Sequence, residues 1–131
     1  MSTGLLQGIK GIGIDLCKTQ RVFKLYSQYP ERYLEKALHP LEIQHFHSLS
    51  EWHDKQVQYL ATLWAVKEAT VKATQKRLLF PDIEYTKNER SAPILVFHNE
   101  ALEWFNNSEF NNTMVSVSHD DGLTIAMVLI Q

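Results

Sequence analysis

At 131 residues, with 44% hydrophobic and 21% charged side chains and a net charge of −2 at pH 7, the chain has the size and balance of one folded domain. That balance gives no overall pull toward nucleic acid or an anionic membrane, so an acidic partner would have to meet a local basic patch. Cys17 is the single cysteine, which excludes an internal disulfide and a thiolate zinc cluster. A lone thiol fits a reducing compartment. With no signal-like stretch over Met1 to Lys10 and no run of about 18 apolar residues, a cytoplasmic location is expected.

In chain order, Gly8 to Cys17 reads as a strand, because Ile12, Ile14 and Leu16 alternate with Gly11, Gly13 and Asp15. The glycines leave room beside Asp15 on their face. Gln20 to Tyr29 predicts a helix that stops before Pro30. A short helix follows over Glu31 to Leu38, and Pro40 suits the first turn of another, reaching about Leu49.

The longest helix is predicted from about Asp54 to Lys76. Val57, Leu60, Ala61, Trp64, Glu68, Val71 and Lys72 recur at steps of three and four, which places them along one stripe. That stripe begins apolar and ends in a carboxylate and an amine one turn apart, so it is expected to leave the core and enter a site. Lys67 lies off the stripe. Beyond it, Ile83 to Tyr85 and Ile94 to His98 read as short strands around a turn-rich segment, and Asn99 to Phe105 as a short helix. The C-terminal part is a hairpin, Met114 to Ser118 and Leu123 to Ile130, turning through His119-Asp120-Asp121-Gly122. Its last strand is apolar on both faces, as a covered central strand would be.

Three strings together resemble the phosphopantetheinyl transferases of the holo-acyl-carrier-protein synthase type. Gly11-Ile12-Gly13-Ile14-Asp15-Leu16 is similar to that family's opening strand. Tyr59 through Ala73, with Lys67-Glu68-Ala69 and Lys72, is similar to its second motif. Val115-Ser116-Val117-Ser118-His119 is similar to its late Ser-His string. The order and spacing are family-like, and the resemblance spans nearly the whole chain.

The resemblance implies an α+β fold, with a small, mostly antiparallel sheet packed on one side by a long helix and shorter helices. It implies one phosphopantetheinyl transferase domain over residues 1–131. It implies magnesium held by Asp15 and Glu68, phosphate contacts from Lys67 and Lys72, and coenzyme A contacts from Ser118 and His119. Arg21, with Lys24 nearby, would meet an acidic acyl carrier protein. The implied reaction is magnesium-dependent transfer of 4′-phosphopantetheine from coenzyme A to a carrier serine, with 3′,5′-ADP leaving, in fatty-acid or polyketide synthesis. Hard oxygen donors suit magnesium, which normally completes its shell with water and substrate phosphate. Glu68, acting through a metal-bound water, is the expected base for the serine proton, and Asp15, Glu68 and Lys72 form the expected catalytic set. A chain of this length carries one structural repeat, so a homotrimer with coenzyme A between subunits is expected.

Some positions depart from the family pattern. Leu63 stands where an Arg is usual, Lys18 replaces a frequent acid, and Thr74-Gln75-Lys76-Arg77 replaces a glycine-rich loop. These departures motivate a rival reading, a degenerate module that binds coenzyme A or a carrier without turnover. A second rival is a magnesium-dependent coenzyme A pyrophosphate hydrolase using the same acids. Plainer structural readings also exist. Asp15 could cap a turn, Glu68 and Lys72 could form a surface pair, and His119 could brace its own turn. His39, His45, His47 and His53 match no strong zinc spacing, and Cys17 has no evident activating neighbour.

Overall fold

A computed structural model describes residues 8–131; residues 1–7, most of the stretch read for a signal sequence, lie outside it. Strand β1 (Gly11–Lys18) is followed by helices α1 (Thr19–Gln28), α2 (Pro30–Ala37), α3 (Pro40–Ser48) and α4 (His53–Thr74). A 3-10 turn at Phe80–Asp82 leads to β2 (Ile83–Lys87) and β3 (Pro93–Phe97), then α5 (Asn99–Asn107), β4 (Thr113–Asp120) and β5 (Leu123–Ile130). The α+β class holds. All strand pairs are antiparallel, but they divide into a three-stranded sheet of order β1-β5-β4 and a separate β2-β3 ribbon.

The hairpin between β4 and β5 turns through Asp121 and Gly122, both with positive φ (48° and 76°). This is the backbone that a tight two-residue hairpin requires and that an Asp-Gly pair supplies. Helix α3 starts on Pro40 and is capped by His39, whose Nδ1 accepts from Leu41 N–H, while Glu42 reaches back to His39 N–H. Helix α4 ends at Gln75, which takes the left-handed conformation (φ 55°) and returns its N–H to Val71 O.

The 22-residue α4 lies across the inner face of the three-stranded sheet, with α1 to α3 wrapped around its other sides. The expected stripe runs from buried Val57, Leu60 and Ala61 out to the cavity of Asp15 and Glu68, but burial is not confined to it. From Leu60 to Thr74 nearly every residue is buried, and the ridge of Trp64, Glu68, Val71 and Lys72 is the most open part. A helix enclosed on most sides has no single apolar face to read. The row Ala65, Ala69 and Ala73 is buried, with Ala69 and Ala73 against β1. A Cβ on Gly11 would overlap the carbonyl oxygen of Ala73, and one on Gly13 that of Ala69. The room predicted beside Asp15 is therefore filled by helix backbone, which brings strand and helix close enough for their side chains to meet.

The main core joins Val22, Leu34, Leu38, Phe46, Leu60, Leu63 and Val66 to Ala126, Val128 and Ile130 of β5. Each large apolar side chain buried this way contributes about 1.5–3 kcal/mol of transfer free energy. A smaller cluster, Leu78, Ile83, Phe97 and Ala101, seats α5 on the ribbon. The outer face of the main sheet is apolar too. Ile12, Ile14 and Leu16 of β1, Leu123, Ile125 and Met127 of β5, and Met114 of β4 are all exposed.

Candidate active site

Asp15 comes from β1 and Glu68 from α4, 53 positions apart in sequence, and both line one cavity of about 240 Å³. Leu16, Cys17, Arg21, Val22, Leu25 and Trp64 complete its wall. The arrangement follows from the glycine–alanine packing. Asp15 occupies the inner-face position two residues beyond Gly13, where it meets Lys72 and shares a cavity with Glu68 of the more open ridge of α4. Burial, and then the neighbouring Asp15 carboxylate, hold the Glu68 carboxyl above the usual range, while Lys72 opposes the shift.

Lys72 follows Glu68 by one turn and crosses to the strand. Its Nζ donates to Asp15 Oδ1 at 3.1 Å and to Ile14 O at 3.0 Å. The lysine is about half exposed and the acid mostly covered, 53% against 15%. Two carboxylates beside one ammonium make a small, charged, water-accessible site. Its oxygen donors have the chemistry that a hard divalent cation takes, and the ammonium suits a phosphate oxygen.

Arg21 joins this site: it is exposed on α1 and lines the same cavity. Lys24, one turn on, is also exposed. Leu25 and Trp64 are shared with a neighbouring groove of about 440 Å³ lined by Tyr29, Arg32, Tyr33 and Lys36. Arg32 and Lys36 were missed in the sequence because two more cations on a short helix carry no distinguishing pattern. Cys17 borders the cavity but is buried. Its thiol is pushed up to about 11, by burial first and then by Asp15, so it stays protonated at neutral pH.

Lys67 is the clearest correction. It was expected to meet phosphate, or failing that to be solvated, yet it is wholly buried. Its Nζ donates to Glu42 Oε1 at 2.5 Å, Ala37 O at 2.8 Å and Phe80 O at 3.0 Å, which uses all three ammonium protons. Burial lowers its pKa, and the Glu42 charge opposes that shift. Glu42, also missed, accepts from His39 N–H, Tyr85 N–H and Lys67, tying α3, β2 and α4 together. The capping-box spacing from His39 to Glu42 was the available signal, but a histidine cap hides it.

Ser118 and His119 are adjacent in sequence and lie on opposite faces of the sheet. Ser118 pairs with Ile125 on the exposed apolar face, whereas His119 pairs with Thr124 on the helix side. His119 Nδ1 is 2.8 Å from Thr124 Oγ1, Nε2 is 3.4 Å from Thr62 Oγ1, and burial lowers its pKa. It borders a larger cavity of about 870 Å³, with Lys18, Phe23, His53 and Gln58, outside the wall of the acid pair's cavity.

The pattern of the 4′-phosphopantetheinyl transferase superfamily matches residues 11–127. The chain is 35% identical over 123 residues to a holo-[acyl-carrier-protein] synthase of Helicobacter pylori, covering 91% of this chain and 95% of that one. It is 35% identical to the synthase of the same name from Campylobacter jejuni subsp. doylei, covering 91% and 97%. Among solved structures, the holo-[acyl-carrier-protein] synthase of Neisseria meningitidis superposes with a TM-score of 0.84 at 25% identity, over 94% of this chain and 98% of that one. The Helicobacter pylori synthase in complex with coenzyme A superposes with a TM-score of 0.74 at 31% identity, over 92% and 99%. The chain therefore belongs to the 4′-phosphopantetheinyl transferase superfamily, among the enzymes of the holo-[acyl-carrier-protein] synthase type.

Proposed function

We propose that the chain transfers 4′-phosphopantetheine from coenzyme A to a serine of an acyl carrier protein, releasing 3′,5′-ADP. The observation that carries this reading is the convergence of Asp15 and Glu68 on one cavity with Lys72 beside them. Membership of the superfamily and the coenzyme A bound by the Helicobacter pylori relative support it.

Asp15 and Glu68 are the residues that would hold magnesium. Two acidic groups close enough for one to raise the pKa of the other fit a divalent cation well, because the cation removes their mutual repulsion. When bound, magnesium would neutralise charge on the coenzyme A pyrophosphate oxygens. Lys72 holds a phosphate oxygen as a point charge in place of its bond to Asp15. Glu68 is assigned the proton of the attacking serine. The serine oxygen then bonds to the phosphorus bearing pantetheine, and the bond from that phosphorus to the ADP oxygen breaks.

The carrier docks through Arg21 and Lys24, extended along the groove by Arg32 and Lys36; these exposed cations complement an acidic surface. Lys67 has no part in binding cofactor. His119 and Ser118 contact coenzyme A only if the ligand spans the sheet edge between subunits. The exposed apolar face of β1, β5 and β4 supports a homotrimer, in which a neighbouring copy covers that face and completes the cleft. Among the described residues no helix is long and apolar enough to cross a membrane. The buried free thiol of Cys17 supports a reducing, cytoplasmic setting.

Incubation with coenzyme A, magnesium and a panel of apo carrier proteins tests this reading by intact mass. One carrier should gain a single phosphopantetheine. Release of free phosphopantetheine without a carrier would instead mark a hydrolase, and coenzyme A binding without turnover would mark a binding module.

A further inference from the structure

Three side chains far apart in sequence meet where α3, the β2-β3 ribbon and α5 join. His39 caps α3, Glu84 lies on β2, and His98 immediately precedes α5. His98 Nε2 is 2.9 Å from Glu84 Oε1, and the two imidazole rings stack with centroids 4.1 Å apart. One donor atom from each of the three lies within 4.8 Å of the others. None of them lines the cavity of Asp15 and Glu68.

Two features of this cluster call for an explanation. Glu84 is a carboxylate only 8% exposed, and burying such a charge without a lasting counter-charge is costly. Lys67 is near enough for its charge to be felt at Glu84, but its three protons are bonded to Glu42 and two carbonyls. The imidazole that does meet Glu84 balances charge only when protonated. The second feature is the cap. Helix N-caps favour Ser, Thr, Asp and Asn, yet α3 uses His39, whose ring lies on that of His98.

We propose that His39, Glu84 and His98 form a site for one zinc-class divalent transition metal, separate from the oxygen pair Asp15 and Glu68. Two imidazoles and a carboxylate are a donor set for such ions, with water filling the fourth position. Magnesium prefers all-oxygen surroundings and is not the ligand here. Metal–nitrogen bonds of about 2.0–2.1 Å put tetrahedral donors roughly 3.3 Å apart. Donors that now lie within 4.8 Å of one another must therefore close in by up to about 1.5 Å, and the two rings must turn out of their stack. His39 then gives up its bond from Leu41 N–H, which neutralising Glu84 offsets. The bound ion would lock the ribbon and the start of α5 to the cap of α3. That junction also anchors the Glu42–Lys67 pair, next to Glu68 on α4.

Zinc titrated into the full-length protein in excess magnesium, followed by calorimetry and thermal unfolding, tests this. One equivalent should bind and raise the unfolding temperature. His39→Ser retains a favourable cap but removes a ligand, and His98→Ala removes another; each should weaken zinc binding by about tenfold or more. Asp15→Ala with Glu68→Ala should leave it intact. No zinc binding to the unaltered protein would overturn the proposal. So would undiminished binding in either histidine variant, or its loss in the Asp15/Glu68 variant.

Discussion

Lys72 Nζ bonds Asp15 Oδ1 at 3.1 Å from the helix turn after Glu68, so one ammonium braces the strand acid while facing the helix acid. Because this pair is half open to water, it holds little stability; exposed ion pairs contribute about 0–1 kcal/mol. Lys72→Ala should therefore unfold at nearly the same denaturant midpoint as the parent. Its transfer rate should fall by about two orders of magnitude, the order seen when one pre-set charge contact to a reacting group is lost. Equal activity in the variant would remove Lys72 from the catalytic set.

Lys67 predicts the opposite profile. Removing it leaves Glu42 buried without its cation, and breaking a buried pair costs about 3–5 kcal/mol. Lys67→Ala should lower chemical stability by that order, while the fraction that remains folded keeps its KM for coenzyme A. A large rise in KM at unchanged stability would restore the phosphate role.

Glu68 links pH to both stability and metal affinity. Its folded-state pKa is raised, so the unfolded chain gives up the proton first, and ionisation costs the fold stability as pH rises through the carboxylate range. In metal-free buffer Glu68→Gln should be more stable than the parent at neutral pH, and the difference should close as the solution is acidified below the unfolded value. Magnesium should stabilise the parent but not the variant. Its affinity for the parent should weaken on acidification, because protons compete for Glu68. Thermal melts across pH, with and without magnesium, check both limbs.

Gly13 fixes the distance between strand and helix. Gly13→Ala would drive a methyl group into the Ala69 carbonyl, and overpacking of this kind costs about 1–3 kcal/mol. Because Asp15 follows two residues later on the same face, the variant should also lose transfer activity beyond its loss of folded protein.

The sheet's outer face gives a test of assembly. Ile14→Asp or Ile125→Asp puts a charge into the exposed apolar patch, and sedimentation should show a trimeric parent and smaller species for the variants. A parent that is active as a monomer would refute the shared cleft.

Element types were readable because their signals are local: alternation in β1, Pro30 and Pro40 at helix boundaries, and Asp121-Gly122 at the hairpin. Asp15 and Glu68 were legible through the resemblance of their motifs. The stripe of α4 was legible as a face that leaves the core for the site, but enclosure on nearly all sides erases amphipathic contrast, so the burial of Leu63, Lys67 and Thr70 off that stripe was not. Lys67 and Glu42 escaped for another reason. Their pairing spans 25 residues, and a lysine's fate depends on a partner that periodicity does not show. The meeting of His39 with His98 is equally non-local, since it requires α3 and the β2-β3 ribbon to be already packed together.

The central claim is that Asp15 and Glu68 grip one divalent cation. Crystals soaked with manganese and coenzyme A, measured at the manganese absorption edge, test it most directly. One anomalous peak should lie within coordinating distance of an Asp15 Oδ and a Glu68 Oε. A peak touching only one acid, or none in that cavity while coenzyme A is bound, would contradict it.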